Sequence, residues 1–315
     1  MRNHFLRAAG VPSSGGGGSS IIDTDLYVHY DFSDTNCWNR NNSTNAADYT
    51  VNNLANDYND AVFRCRDGSG TSYQNSSASP VIDFDSSDGG GCLEVIPTNN
   101  TANDDDCLLA IPGTTTSTSG SNRANNLSTV TGTNNLYNGI GTGAYTFELW
   151  YRVYLNYGNS PGVNYNGNIG YPLRIYYKHS ASGLSGIEEH LTLRITDMAN
   201  PMDYSGEVNN YNANIRYSIS GVPSSGAAWS NWNHLVYSRN SSSTNDTKVY
   251  VNNSLDETQT DSKDYDELRY LYFFPYSNVL RNPLKYGIFR FYRGKALTSS
   301  EVTTNWNAQK SRFGH

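Results

Sequence analysis

Residues 145–155, YTFELWYRVYL, alternate in character along their length. Phe147, Leu149, Tyr151, Val153 and Leu155 fall on one face, and Thr146, Glu148, Trp150, Arg152 and Tyr154 on the other. That period of two is the mark of a strand with one face on a core. Shorter runs of the same kind stand at 26–34, 92–96, 107–111, 173–177, 191–195, 215–219, 232–239, 248–251, 268–274 and 288–292, with apolar islands at 61–63 and 81–84. Gly, Asn and Ser fill the intervals. Many short strands separated by turn-forming residues predict an all-β sandwich or jelly roll.

One segment follows a different rule. In residues 297–310, Thr298 and Glu301 have capping-box spacing, and Leu297 and Val302 are placed to form a hydrophobic staple. Val302 and Trp306, one turn apart, would face the sandwich. The spacing predicts a single short C-terminal helix.

The two ends of the chain differ from its middle. Residues 1–22 read as an extended N-terminal arm with a Gly/Ser linker, and residues 23–315 as one β-sandwich domain. Within the arm, Phe5 and Leu6 are apolar anchors, and Arg2 and Arg7 suit acidic partners. Residues 114–135, rich in Thr, Ser, Gly and Asn, read as a long surface loop.

Composition sharpens the class. Hydrophobic residues make up 37% of the chain and charged residues 16%, so the polar excess is uncharged and includes 25 Tyr. Mean hydropathy is -0.62 and the sequence pI about 5.3. The net charge of -7 argues against a nucleic-acid partner, which calls for a basic face. No apolar run is long enough for a membrane-spanning helix. The N-terminus has no continuous apolar stretch of the secretory type, so the expectation is a protein folded in a cytoplasm.

Cys37, Cys65, Cys92 and Cys107 contain no C-x-x-C pair, which weakens a zinc reading. In a reducing compartment they are expected as free thiols, and disulfides are the alternative in oxidising surroundings. Asp104, Asp105 and Asp106 are the densest acidic cluster. It reads as a solvated turn, with a Ca²⁺ site as the alternative; no cofactor is required. His29 and His234 lie on strands among apolar neighbours and read as core or edge histidines. The sequence lacks the alternating Glu-x-Asp-x-x-Glu strand of many glycosidases, and the adjacent Glu188 and Glu189 would point to opposite strand faces or lie in a loop. The expectation is a protein without catalytic residues.

Several segments, in order, resemble the laminin-G-like branch of the concanavalin A-like lectin/glucanase superfamily. They are the opening strand at 26–34, the loop at 51–63, the strand at 145–153, the pair 232–239 and 248–254, and the closing run 288–302. The resemblance implies a concanavalin A-like jelly-roll β-sandwich. Where such domains place Asn-Gly at the hairpin turn, this chain has Asn252-Asn253. Residues 305–314, NWNAQKSRFG, and the leader FLRAAG further resemble the ends of such domains among virion structural proteins of marine tailed phages.

What that resemblance implies is a non-enzymatic protein of the virion surface, either a capsid decoration or a tail or fibre component. It would be held to other virion proteins by its N-terminal arm, oligomeric on the particle, and without membrane insertion. The alternatives are a lectin for host-surface polysaccharide, whose glycan-binding residues the sequence does not identify, and a glycoside hydrolase.

Overall fold

The computed structural model describes residues 20–38, 50–55, 61–65, 81–96, 107–111, 143–157, 168–178, 187–197, 204–210, 213–222, 226–261, 267–273 and 283–315. Among these, the elements in chain order are β1 (Leu26–Asp31), β2 (Thr50–Val51), β3 (Ala61–Cys65), β4 (Val81–Asp85), β5 (Cys92–Ile96), β6 (Cys107–Ile111), β7 (Tyr145–Tyr157), β8 (Asn168–Lys178) and β9 (Ile187–Asp197). They continue with β10 (Tyr204–Asn210), β11 (Ala213–Ser218), β12 (Gly226–Trp229), β13 (Asn233–Arg239), β14 (Thr247–Val251), β15 (Ser254–Gln259), β16 (Glu267–Phe273) and β17 (Leu284–Arg293), and end in helix α1 (Ser299–Gln309).

The described strands form two antiparallel sheets. The front sheet runs β15-β14-β13-β7-β17-β5-β4, with β1 also paired to β17 and β12 to β7. The back sheet runs β11-β10-β9-β8-β16-β6-β3-β2. The chain passes repeatedly between them, as in a jelly-roll sandwich. Strand β7 is the axis of the front sheet, flanked by β13, β12 and β17.

The alternation in β7 does what its pattern predicts. Phe147, Leu149, Tyr151, Val153 and Leu155 are buried between the sheets with Val28, Tyr30, Tyr237, Phe289 and Phe291. Burying each such large apolar side chain contributes about 1.5–3 kcal/mol. The Tyr151 and Tyr217 hydroxyls, 2.5 Å apart, join the front sheet to the chain end of β11.

In β17 the inward set changes phase. Leu284 and Tyr286 face the core on even numbers, whereas Phe289 and Phe291 do so on odd ones. The register shifts between Tyr286 and Ile288, so the extra residue, Gly287, acts as a bulge. A Cβ on Gly287 would lie 2.4 Å from the Phe313 ring. The absence of a side chain there lets the C-terminal tail lie against the sheet.

Part of the outer face of the front sheet is covered by that tail and by α1. The helix is capped as its sequence requires: Glu301 N–H donates to Thr298 Oγ1, and Thr298 N–H donates to Glu301 Oε2. Leu297 and Val302 pack with Val236, Tyr250 and Tyr292. Trp306 and Phe313 stack on Trp150 with ring centroids 5.2 and 4.3 Å away. At the other end of the chain, Ile22 N–H donates to Asn305 Oδ1, and Ile22 O accepts from the Tyr292 hydroxyl. Ile22 is therefore held beside α1.

Candidate functional site

Among the described residues, two clusters of charge stand out along β7 on the outer face of the front sheet, one sealed and one open. The sealed one centres on Glu148 of β7, fully buried under α1. Its Oε1 accepts from Arg290 Nη1 and lies 2.9 Å from His234 Nε2, while Oε2 accepts from Asn305 Nδ2 at 2.7 Å. Burial works against the charge on Glu148, but Arg290 and His234 hold its carboxyl down at about 2. Burial also lowers the pKa of His234, despite the pull of Glu148. The neutral imidazole then carries its proton on Nε2, because an ionised carboxylate can only accept. Solvent does not reach this group, so it serves docking of the helix rather than chemistry on a substrate.

The open cluster lies at the far end of β7. Trp229, the last residue of β12, is opposite Tyr154 in the ladder, and their rings meet edge to face at 5.4 Å. Both are half-buried. Lys285 Nζ stands 4.4 Å from the Trp229 ring centre, and the Arg152 guanidinium 5.6 Å. Cations over an indole face are attracted by its quadrupole.

Carboxylates fix the two cations. Lys285 Nζ donates to Asp85 Oδ2 at 2.6 Å and Asp88 Oδ2 at 3.0 Å, and Arg152 Nη1 donates to Asp88 Oδ2 at 2.6 Å. Asp88 Oδ1 accepts from Trp232 Nε1 at 2.8 Å. Burial opposes ionisation of Asp85, yet hydrogen bonds from Lys285 and Ser87 bring its carboxyl to about 2. Burial pushes the neighbouring Glu94 carboxyl up against the pull of Lys285, with Asp85, Asp83 and Asp88 adding to the rise.

Asp83, Asp85, Asp88 and Glu94 thus outnumber Arg152 and Lys285 by two charges. Half-buried aromatic faces beside fixed acceptors and donors suit a polyhydroxylated ring, whose C–H face stacks and whose hydroxyls hydrogen-bond. The excess of carboxylate disfavours a polyanion.

The loop bearing Asp88 is built for close approach. Gly89 has φ of +56°, and a Cβ there would meet Trp232 at 2.9 Å. Arg312 Nε donates to Gly89 O and its Nη2 to Gly91 O. The C-terminal tail therefore supports the Asp88 loop from behind.

Arg2, Phe5, Leu6 and Arg7, and Asp104, Asp105 and Asp106, lie outside the described residues. His234 is fully buried and His29 half-buried on the front sheet, as core and edge histidines. Cys37 and Cys92 are fully buried, Cys92 as a free thiol that burial pushes up to about 12. Among the described residues, no three His, Cys, Asp or Glu are grouped to hold a metal ion. Sequence reasoning missed Trp229 and Asp88. The signal for Trp229 was a tryptophan in AAWSNW, next to a predicted strand.

No family model matches the chain, and no curated protein matches it. Among solved structures, it is similar to the binding domain of Paraclostridial Mosquitocidal Protein 1 at 10% identity and a TM-score of 0.48, over 91% of this chain and 52% of that one. It is similar to the botulinum neurotoxin serotype G binding domain at 13% identity and a TM-score of 0.48, over 91% and 51%. A third is a structure described as showing that cell entry of botulinum neurotoxin type C depends on interaction with two ganglioside molecules, at 11% identity and a TM-score of 0.49, over 91% and 52%. The chain spans about half the length of each.

Proposed function

We propose that this chain is a non-enzymatic, lectin-like display domain that binds a neutral polysaccharide at the Trp229 end of its front sheet. The observation that carries the reading is the half-buried Trp229–Tyr154 pair set among Arg152, Lys285, Asp85 and Asp88. Trp229 supplies a stacking face, and the carboxylates supply acceptors for sugar hydroxyls. The acidic surplus selects neutral over sulfated or sialylated glycans.

The test is a glycan array probed with the full chain and with Trp229→Ala, with and without calcium. Binding to neutral polysaccharides that falls at least tenfold in the variant is expected. No glycan bound by the wild type, or equal binding by both proteins, would sink the reading.

A second observation favours a virion setting. Ile22, the root of the arm, is held at Tyr292, which pairs with Thr146 of β7, whereas Trp229 pairs with Tyr154. Eight residues of strand separate these positions, roughly 27 Å at the usual rise. A domain tethered at one end and binding at the other is arranged for display. With the resemblance of both chain ends to phage virion proteins, this supports a capsid decoration or tail component held by Arg2, Phe5, Leu6 and Arg7. Deleting residues 2–12 is expected to abolish incorporation into particles; unchanged incorporation would refute the anchoring role.

A further inference from the structure

The chain leaves the back sheet at the end of β3, crosses to the front sheet, and returns at the start of β6. Between those points lie β4, the Asp85–Asp88 loop and β5. The last residue of β3 is Cys65 and the first of β6 is Cys107, and the antiparallel ladder sets them directly opposite each other. Opposed residues of an antiparallel pair share a sheet face, with Cα atoms ~4.5–5.5 Å apart. Disulfides span Cα separations of roughly 4.4–6.8 Å.

The other two thiols do not compete. Cys37 and Cys92 are fully buried, and desolvation raises the Cys92 thiol to about 12, leaving almost none of the reactive thiolate. Cys37, in the turn after β1, and Cys92, on β5, are thus sealed from solvent, while the back sheet places two cysteines in one register.

We propose that Cys65 and Cys107 form a cross-strand disulfide that pins the excursion carrying Asp85 and Asp88. The oxidant is a low-molecular-weight disulfide such as oxidised glutathione. One cysteine thiolate attacks it, releasing one thiol and leaving a mixed disulfide. The second cysteine thiolate then displaces the other thiol. Two protein thiols lose two electrons and two protons in total, and the small disulfide is reduced to two thiols. The bond closes the loop 66–106 at its neck, removing conformations from the unfolded chain. The inference stands independently of glycan binding.

The test treats the full chain with oxidised glutathione, then unfolds it, alkylates it without reduction and maps the peptides. A linked pair of peptides containing Cys65 and Cys107 is expected, with Cys37 and Cys92 alkylated. Adding reductant is expected to lower the wild-type Tm by several degrees and to leave a C65S/C107S variant unchanged. Four alkylated thiols after oxidation, or a different pairing, would overturn the disulfide. A linked pair without a thermal shift would overturn its pinning role. The peptide map uses wild-type protein alone, so the outcome does not depend on the variant folding.

Discussion

Arg312 and Asp31 stand 281 positions apart and form a two-point ion pair, with Arg312 Nη1 donating to Oδ1 at 2.9 Å and Oδ2 at 2.8 Å. Burial disfavours the charge on Asp31, but Arg312, His29 and Ser33 hold its carboxyl below the usual range. The same guanidinium donates to the carbonyls of Gly89 and Gly91. One side chain thereby ties the first strand, the Asp88 loop and the tail together.

Replacing Arg312 is expected to cost more than a surface ion pair would. An exposed pair contributes at most about 1 kcal/mol, whereas hydrogen bonds to a charged group contribute ~1.5–3 kcal/mol. R312A should lower unfolding stability by about 2 kcal/mol in urea titration. R312K, which keeps the charge without the planar fork, should recover less than half of that. Full recovery by lysine would show that charge alone matters.

The Glu148 cluster gives a second expectation. Removing one partner of a buried pair leaves the other uncompensated, at a cost of about 3–5 kcal/mol. E148Q should therefore be severely destabilised, because Arg290 loses its counter-charge. The double replacement E148M/R290M removes both charges and is expected to be more stable than E148Q alone. Denaturant midpoints of the two variants check the order.

Acid should weaken the fold in two stages. Burial, with Arg290, lowers His29 from 6.5 to about 3. The unfolded chain then takes up the proton first as pH falls below 6.5, so stability declines from there toward pH 3. Each such group contributes a slope of about 1.4 kcal/mol per pH unit. Glu148 and Asp85, both held at about 2, contribute stability that is present above the ordinary carboxylate pKa and lost as pH falls toward 2. Urea midpoints of wild type and His29→Gln, compared between pH 6.5 and 4.5, should show a flatter slope for the variant. Equal slopes would remove His29 from the account.

The β14–β15 turn predicts its own exception. Asn252 and Asn253 have φ of +48° and +67°, the two left-handed positions of a type I′ hairpin where glycine is favoured. Both asparagines are used elsewhere: Asn252 Oδ1 accepts from His234 N–H, and Asn253 Oδ1 accepts from Thr303 Oγ1 on α1. N252A should cost roughly 1–2 kcal/mol, combining strain with a lost acceptor. N252G should relieve the strain and keep a deficit of about 1 kcal/mol. A glycine variant more stable than wild type would show that the His234 contact contributes nothing.

The sandwich was legible in the sequence because its signals are local. The alternation of residues 145–155 assigned both faces of β7, and Thr298 with Glu301 marked the start of α1. Short strands without a clear period, β10, β12 and β15, were not picked out; β12 is GAAW, where two alanines hide any alternation. The fate of the outward face was not legible either. Glu148 alternates like a solvent-facing residue, and its burial depends on Asn305, 157 positions later. The Trp229 end is equally non-local, since Asp88 meets Trp232 across 144 positions. Charge and aromatic content marked the residue types at these clusters; only the pairing of distant strands brings them together.

The stacking of Trp306 and Phe313 on Trp150 also imposes an order on synthesis. During translation β7 is made long before residues 302–313, so its broad indole and its carboxylate wait uncovered in the nascent chain. Aromatic surface left waiting in this way is what chaperones bind and what neighbouring chains aggregate through. A shortened product ending before Trp306 would keep most strands of the sandwich and still carry that exposed patch, making truncation at this end a route to inclusion bodies rather than to a smaller soluble domain.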